Sequence, residues 1–206
     1  GAPSQKLMAR LFSRSLQFNP YNFVMAVFPL GLKGTPLERH KGPRDWQRDE
    51  LLQIAEFVKN NRILEAQGKD PEVYKSATAS GRGVGKSALV SWLSLWHMSC
   101  HFGSTTIVSA NTQDQLNTKT FGEIGKWFTM LPNKYWFERN LTMIRPAPWL
   151  ENQMGKTKEE GGYQTDTQHN YIHGSLWNED DPHSFAGAHN EKGMMVIFDE
   201  ASGIPE

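Results

Sequence analysis

Ser80-Gly81-Arg82-Gly83-Val84-Gly85-Lys86-Ser87 constrains this chain more than any other stretch, because it sets three glycines, a lysine and a serine close together. Glycine tolerates backbone conformations that a Cβ forbids, so successive N–H groups of such a loop turn inward and form a cradle for an anion. Lys86 adds a compact positive charge suited to β- and γ-phosphates, and the Ser87 hydroxyl is suited to Mg2+. Both stand where a helix is expected to begin, so the helix dipole adds to the attraction. The pattern for a phosphate loop asks for glycine where this chain has Ser80, and Gly81 and Gly83 stand close by as substitutes.

The flanks decide between a phosphate site and an ordinary glycine-rich turn. Val73-Tyr74-Lys75-Ser76-Ala77-Thr78-Ala79 reads as a short strand, preceded by the turn residues Gly68 and Pro71. After the loop, Leu89, Trp92, Leu93, Trp96 and Cys100 recur at helical spacing, and Val90 and Leu95 make that helix apolar on more than one face. Strand, glycine loop and buried helix is the context a phosphate loop needs.

A length of 206 residues suits one α/β domain. The 22 Lys and Arg balance the 22 Asp and Glu, so no whole-domain charge points to nucleic acid and any such contact must be local. The single cysteine, Cys100, is expected to pack as a small hydrophobe, which suits a reducing cytoplasm. No apolar run approaches the ~20 residues of a membrane span. His169, His173, His183 and His189 fit no zinc-ligand spacing.

Along the chain, residues 4 to 17 predict an amphipathic helix, and Asn19-Pro20 opens a second with Phe23, Val24, Val27 and Phe28 on its apolar side. Thr35-Pro36-Leu37-Glu38 is a capping-box pattern that predicts another helical turn. A longer helix follows, with Leu51, Ile54, Ala55 and Val58 as its stripe and Trp46-Gln47 at its start. A glutamine amide matches the N6 and N7 edge of adenine, and an aromatic neighbour can cover the ring. A surface glutamine beside a core tryptophan is the competing reading, and both stay open at this point.

Thr105-Thr106-Ile107-Val108-Ser109-Ala110 predicts a second buried strand, followed by a helix capped by Asn111 or Thr112 that turns Leu116, Phe121, Ile124 and Phe128 inward. Strand and helix alternation argues for a parallel sheet covered on both faces. Ser109, Asn111, Thr112 and Gln115 cluster where open α/β sheets bind ligands, unless they only cap and turn. Leu141 to Ile144 and Tyr171 to Trp177 are strand candidates, separated by a polar loop from Glu151 to Asn170.

Met194-Met195-Val196-Ile197-Phe198-Asp199-Glu200 reads as a buried strand ending in two carboxylates. Asp199 suits Mg2+, and Glu200 suits a general base that activates the water attacking a γ-phosphate. A phosphate loop (Walker A) and an acid strand (Walker B), with the 105 to 110 strand between them, predict a three-layer α/β/α P-loop NTPase with a mainly parallel sheet, preceded by N-terminal helices. The expected division is a helical lead over residues 1–42 and an ATPase core over 43–206.

In this order and spacing, Asn19-Pro20, Phe28-Pro29, Gly42-Pro43-Arg44-Asp45-Trp46-Gln47, the Ser80 to Ser87 loop, Phe185-Ala186-Gly187 and Asp199-Glu200-Ala201-Ser202-Gly203 resemble one family. It is the ATPase domain of the large terminase subunit of tailed bacteriophages, and the resemblance spans nearly the whole chain. It implies an ATP- and Mg2+-dependent motor that drives double-stranded viral DNA into a capsid in the host cytoplasm. The implied partners are a portal protein and a small terminase subunit, with a ring of copies on the capsid and a monomer in isolation. It also implies that Trp46 and Gln47 face the adenine, that Ser80 to Ser87 hold the phosphates, that Ser87 and Asp199 hold Mg2+, that Arg82 stabilises the γ-phosphate and that Glu200 activates water. The family continues past the acid strand into a coupling motif, more of the ATPase sheet and a nuclease domain, so the resemblance implies either a fragment, incomplete at its C-terminal side, or an unusually short member. Two rival readings remain: a small-molecule phosphotransferase, and a non-catalytic nucleotide-binding module.

Overall fold

A computed structural model describes residues 5–72, 85–165, 167–176 and 194–198. The chain divides into two compact units, Gly1–Gly85 and Lys86–Glu206.

The described elements of the first unit are all helices: α1 Gln5–Leu11, α2 Arg14–Gln17, α3 Pro20–Val27 and α4 Asp45–Ala66. The single helix expected over residues 4 to 17 is broken. The extended backbone of Ser13 interrupts it, and the Ser13 hydroxyl donates to Arg10 O at 2.7 Å. Asn19 caps α3 as its sequence predicts, with its side-chain oxygen accepting from Asn22 N at 3.1 Å and Pro20 in the first turn. Phe23, Val24 and Phe28 are buried with Leu11, Leu51 and Ile54, and the Phe23 and Phe28 rings meet edge to face at 6.2 Å.

Thr35 starts a turn and no helix. Its hydroxyl donates to the carbonyls of Leu32 and Pro29, while the Glu38 carboxylate accepts from Gly34 N. In α4, Leu51 and Ile54 are buried, and Ala55 and Val58 are half-buried. Arg62 lies 3.8 Å above the Phe18 ring, and Asn61 exchanges two 2.9 Å hydrogen bonds with the backbone of Glu72.

The second unit holds a five-stranded sheet: β1 Thr105–Ala110, β2 Phe137–Arg139, β3 Met143–Pro146, β4 Tyr171–Leu176 and β5 Met194–Phe198, in the order β2-β3-β4-β1-β5. β1 pairs in parallel with β4 on one side and β5 on the other, while β2 with β3 and β3 with β4 are antiparallel. The described sheet is therefore mixed, in place of the mainly parallel one expected. The added strands form a hairpin closed by Asn140, whose side chain accepts from Thr142 N. Three α-helices accompany the sheet, α5 Lys86–Cys100, α6 Phe121–Phe128 and α7 Pro148–Gly155, with a short 3-10 turn at Lys134–Trp136. α7 occupies the start of the segment read as loop, with proline in its first turn and Glu151 there too.

α5 is buried on all sides from Ala88 to Cys100. Two of its serines bond within the helix, Ser91 Oγ donating to Ser87 O and Ser94 Oγ to Val90 O, while Ser99 Oγ accepts from Asn133 Nδ2. Trp92 meets Trp127 of α6 edge to face at 5.3 Å. Thr106 of β1 bonds His97 of α5, while Gly174 of β4, the register partner of Val108, lies against Phe121 and Leu116. Thr106, Val108 and Gly174 share one face of the sheet, so α5 and α6 pack on the same side. A Cβ at Gly174 would sit 2.8 Å from Phe121 Cε2, which is why glycine stands at that point of the strand. Six residues wound as a π-helical turn, Gln115–Thr120, lead from β1 into α6. Thr112 caps that turn by accepting from Gln115 N. Cys100 is buried and its thiol is pushed up by that burial.

His97 is fully enclosed, with Nδ1 2.8 Å from Thr106 Oγ1. Burial, and secondarily the neighbouring His101, lower its pKa from 6.5 to about 3. The unfolded chain takes up a proton below pH 6.5 that the folded protein refuses until about pH 3. The His97 contribution is thus complete above pH 6.5 and is lost on acidification through that window, by roughly 1.4 kcal/mol per pH unit. Urea denaturation at pH 6.5 and pH 5 is expected to show this loss in the wild type and a smaller one in His97→Gln; equal losses would contradict it.

Candidate functional site

In the first unit the structure brings together three residues that sequence reading assigned to nucleotide binding. Gln47 lies in the first turn of α4 and is 1% exposed. Its Oε1 accepts from Arg44 N at 2.8 Å, which caps the helix, and its Nε2 donates to Gly85 O at 2.6 Å, 38 residues further along the chain. Gly85 has φ +87°. A Cβ there would collide with Gln47 Nε2, and would sit 3.2 Å from Gln47 Cδ and 3.6 Å from Trp46 Cζ2. Trp46 and Gln47 therefore close on a backbone position where the conformation and the available space both require glycine. The Gln47 amide is not a surface group beside a core tryptophan; it is the more buried of the two. Each of its polar atoms already holds one bond, so reading an adenine edge would use its second N–H and second lone pair.

In the second unit, Lys86 and Ser87 are the half-buried first residues of α5. Its first turn carries no acidic side chain, and its leading N–H groups lack intrahelical acceptors. A 15-residue helix rises about 22 Å, and a six-residue strand about 20 Å. The last turn of α5 is held at the start of β1 by the contact of His97 with Thr106 and by Ser104 Oγ donating to His97 O at 3.0 Å. Helix and strand are thus of similar length, and the end of α5 is fixed at the start of β1. Positive charge, N–H groups without intrahelical acceptors and a hydroxyl at that helix start suit a phosphate with Mg2+, so the described residues fit the group.

The polar cluster at the end of β1 is only partly engaged. Ser109 is fully buried and its Oγ makes no hydrogen bond, and the buried Oε1 of Gln115 makes none either; Asn111 and Thr112 are exposed. The register sets Ser109 beside Phe198, the residue before Asp199. Ser80, Gly81, Arg82, Gly83, Val84, Asp199 and Glu200 lie outside the described residues, as do the expected strand over 73 to 79 and the Phe185-Ala186-Gly187 motif. Among the described residues, no group of three His, Cys, Asp or Glu side chains could hold a metal ion, and no helix is long and apolar enough to cross a membrane.

What sequence reading did not supply was the Gln47 to Gly85 hydrogen bond. The Arg44 to Gln47 spacing announces a helix cap, but no local pattern announces a partner 38 residues away. No known protein family, curated protein or solved structure matches this chain.

Gly85→Ala is expected to lower stability more than Gly68→Ala. Both positions have positive φ, but a Cβ at Gly68 meets nothing within 4 Å. The left-handed backbone costs each variant about 1 kcal/mol, and the collision with Gln47 adds about 1 kcal/mol or more at Gly85 alone. Thermal denaturation of the two variants checks this, and equal losses would contradict the packing described.

Proposed function

We propose that this chain is an Mg2+-dependent ATPase of the phage DNA-packaging motor type, on a three-layer P-loop core. The observation that carries the reading is the closure of Trp46 and Gln47 on Gly85, the last glycine of the phosphate loop. A chance glycine-lysine-serine stretch has no reason to be held by the one upstream element whose side chains suit an adenine. Support also comes from the parallel pairing of β1 with β5, which ends one residue before the acid pair.

In this reading the loop N–H groups and Lys86 bind the β- and γ-phosphates and draw off the charge that develops as the terminal bond breaks. Ser87 and Asp199 would hold Mg2+, which when bound neutralises phosphate oxygens. Glu200 accepts the proton of the attacking water, so the product is free phosphate. Arg82 offers a planar, permanently charged group to the γ-phosphate oxygens. Trp46 covers the base, and Gln47 meets its edge. Double-stranded DNA, a portal protein, a small terminase subunit, a ring of copies on the capsid and the host cytoplasm enter by resemblance to the terminase family.

Phosphate release from Mg·ATP, measured with and without DNA, tests the reading. Glu200→Gln is expected to slow turnover about 100-fold or more while ATP affinity stays within a few-fold. Lys86→Ala is expected to weaken ATP binding at least about tenfold through the loss of a phosphate-bound charge. Unchanged turnover in Glu200→Gln would overturn the assignment of the base. Release that needs an added phosphate acceptor would favour a phosphotransferase, and binding without any turnover in the wild type would favour a binding module.

A further inference from the structure

We propose that one end of the first unit, where α3 closes and the turns over residues 29–42 fold back on it, is a docking surface for an acidic polypeptide segment that also carries apolar side chains. The surface lies within the first unit and does not depend on the nucleotide site proposed above.

The balanced total charge hides an asymmetry along the chain. Residues 1–48 hold eight of the 22 Lys and Arg but only two of the 22 Asp and Glu, Glu38 and Asp45. All eight cations are exposed, and among the described residues only Arg48 meets carboxylates, those of Asp45 and Asp49 at 3.7 and 3.6 Å. Folding gathers several of the others. Arg10 reaches across to α3 and donates to Ala26 O at 3.3 Å, and Lys6 stands one turn before it on the same face of α1. A Cβ at Gly42 would sit 3.8 Å from Met25 Sδ, and a Cβ at Gly31 would sit 3.7 Å from Lys41 Cα. Arg10, Lys41 and the turns that carry Lys33 and Arg39 thus surround the C-terminal end of α3. Glu38 is the one acid of those turns, and its carboxylate accepts from Gly34 N.

Clustered like charges repel one another, so the arrangement costs the free protein stability and an anionic partner relieves it. Two apolar side chains decide which anion. Met25 is 43% exposed and Leu32 58%, and the approach of Gly42 to Met25 and of Lys41 to Gly31 sets both among the cations. A phosphate backbone offers nothing to cover them, whereas carboxylates interspersed with apolar side chains satisfy both parts of the surface. Arg and Met are enriched where proteins meet, and a guanidinium takes a carboxylate in a two-pronged fork.

Fluorescence anisotropy of the full chain tests the proposal with three labelled probes: a peptide of Glu-Glu-Leu repeats, a Glu-Glu-Ser peptide of the same length, and a DNA duplex of equal charge. The Glu-Glu-Leu peptide is expected to bind tightest, and Arg39→Glu with Lys41→Glu to weaken it at least about tenfold. Should that variant not fold by circular dichroism, Lys33→Glu with Arg10→Gln serves in its place, with the same expectation. Leu32→Ser is expected to weaken the Glu-Glu-Leu peptide about fivefold and to leave the Glu-Glu-Ser peptide unchanged, a split that charge alone would not produce. Tighter binding of the duplex would overturn the proposal in favour of nucleic acid. Peptide affinity unmoved by the charge reversals, or no peptide binding by the wild type, would overturn it outright. Self-association of the chain that the reversals abolish, seen by sedimentation, would also overturn it, because the occupant would then be a second copy.

Discussion

Parallel pairing of β1 with both β4 and β5 is the constraint on which the second unit depends. Parallel neighbours cannot be joined by a tight turn; each needs a crossover of a dozen or more residues. The carboxyl ends of all three strands consequently emerge along one edge of the sheet. The polar residues after β1 leave from that edge, and β5 ends there at Phe198. α5 is tied at its last turn to the beginning of β1. Burial holds this arrangement: β1 is enclosed throughout, and α5 from its third residue onward.

In the first unit, one buried amide does comparable work. Gln47 finishes the cap of α4 with one end and holds Gly85 with the other. Helix formation and loop conformation are thereby linked through a side chain that neither could lose without exposing an unsatisfied backbone group. The glycine is required there because both the space beside it and its own dihedral exclude a Cβ.

Strong local signals were legible in the sequence. Thr105–Ala110 announced itself as a mostly β-branched run and Met194–Phe198 as an unbroken apolar one, and Asn19-Pro20 as a capped helix start. Weak or competing signals misled. Ser13 breaks the first helix because its hydroxyl finds a carbonyl within reach, and Thr35 donates to carbonyls where its pattern promised a cap. β2 has only three residues, too few for alternation to register, and its hairpin is what makes the sheet mixed. α7 was hidden by the polar character of the stretch that follows it, although Pro148 and Glu151 are ordinary helix-start residues. Of the candidate site, residue types were legible but partnership was not: the Gln47 to Gly85 bond is a product of tertiary folding.

In the proposed ATPase, the start of α5 and the acid pair after β5 meet at one metal-bound nucleotide. Replacing Mg2+ with Fe2+ in the presence of ADP, ascorbate and peroxide, then mapping backbone cleavage by mass spectrometry, tests this directly. Two nucleotide-dependent cuts are predicted, one beside Ser87 and one beside Asp199. Cleavage at one of these positions alone, or at both regardless of nucleotide, would contradict it.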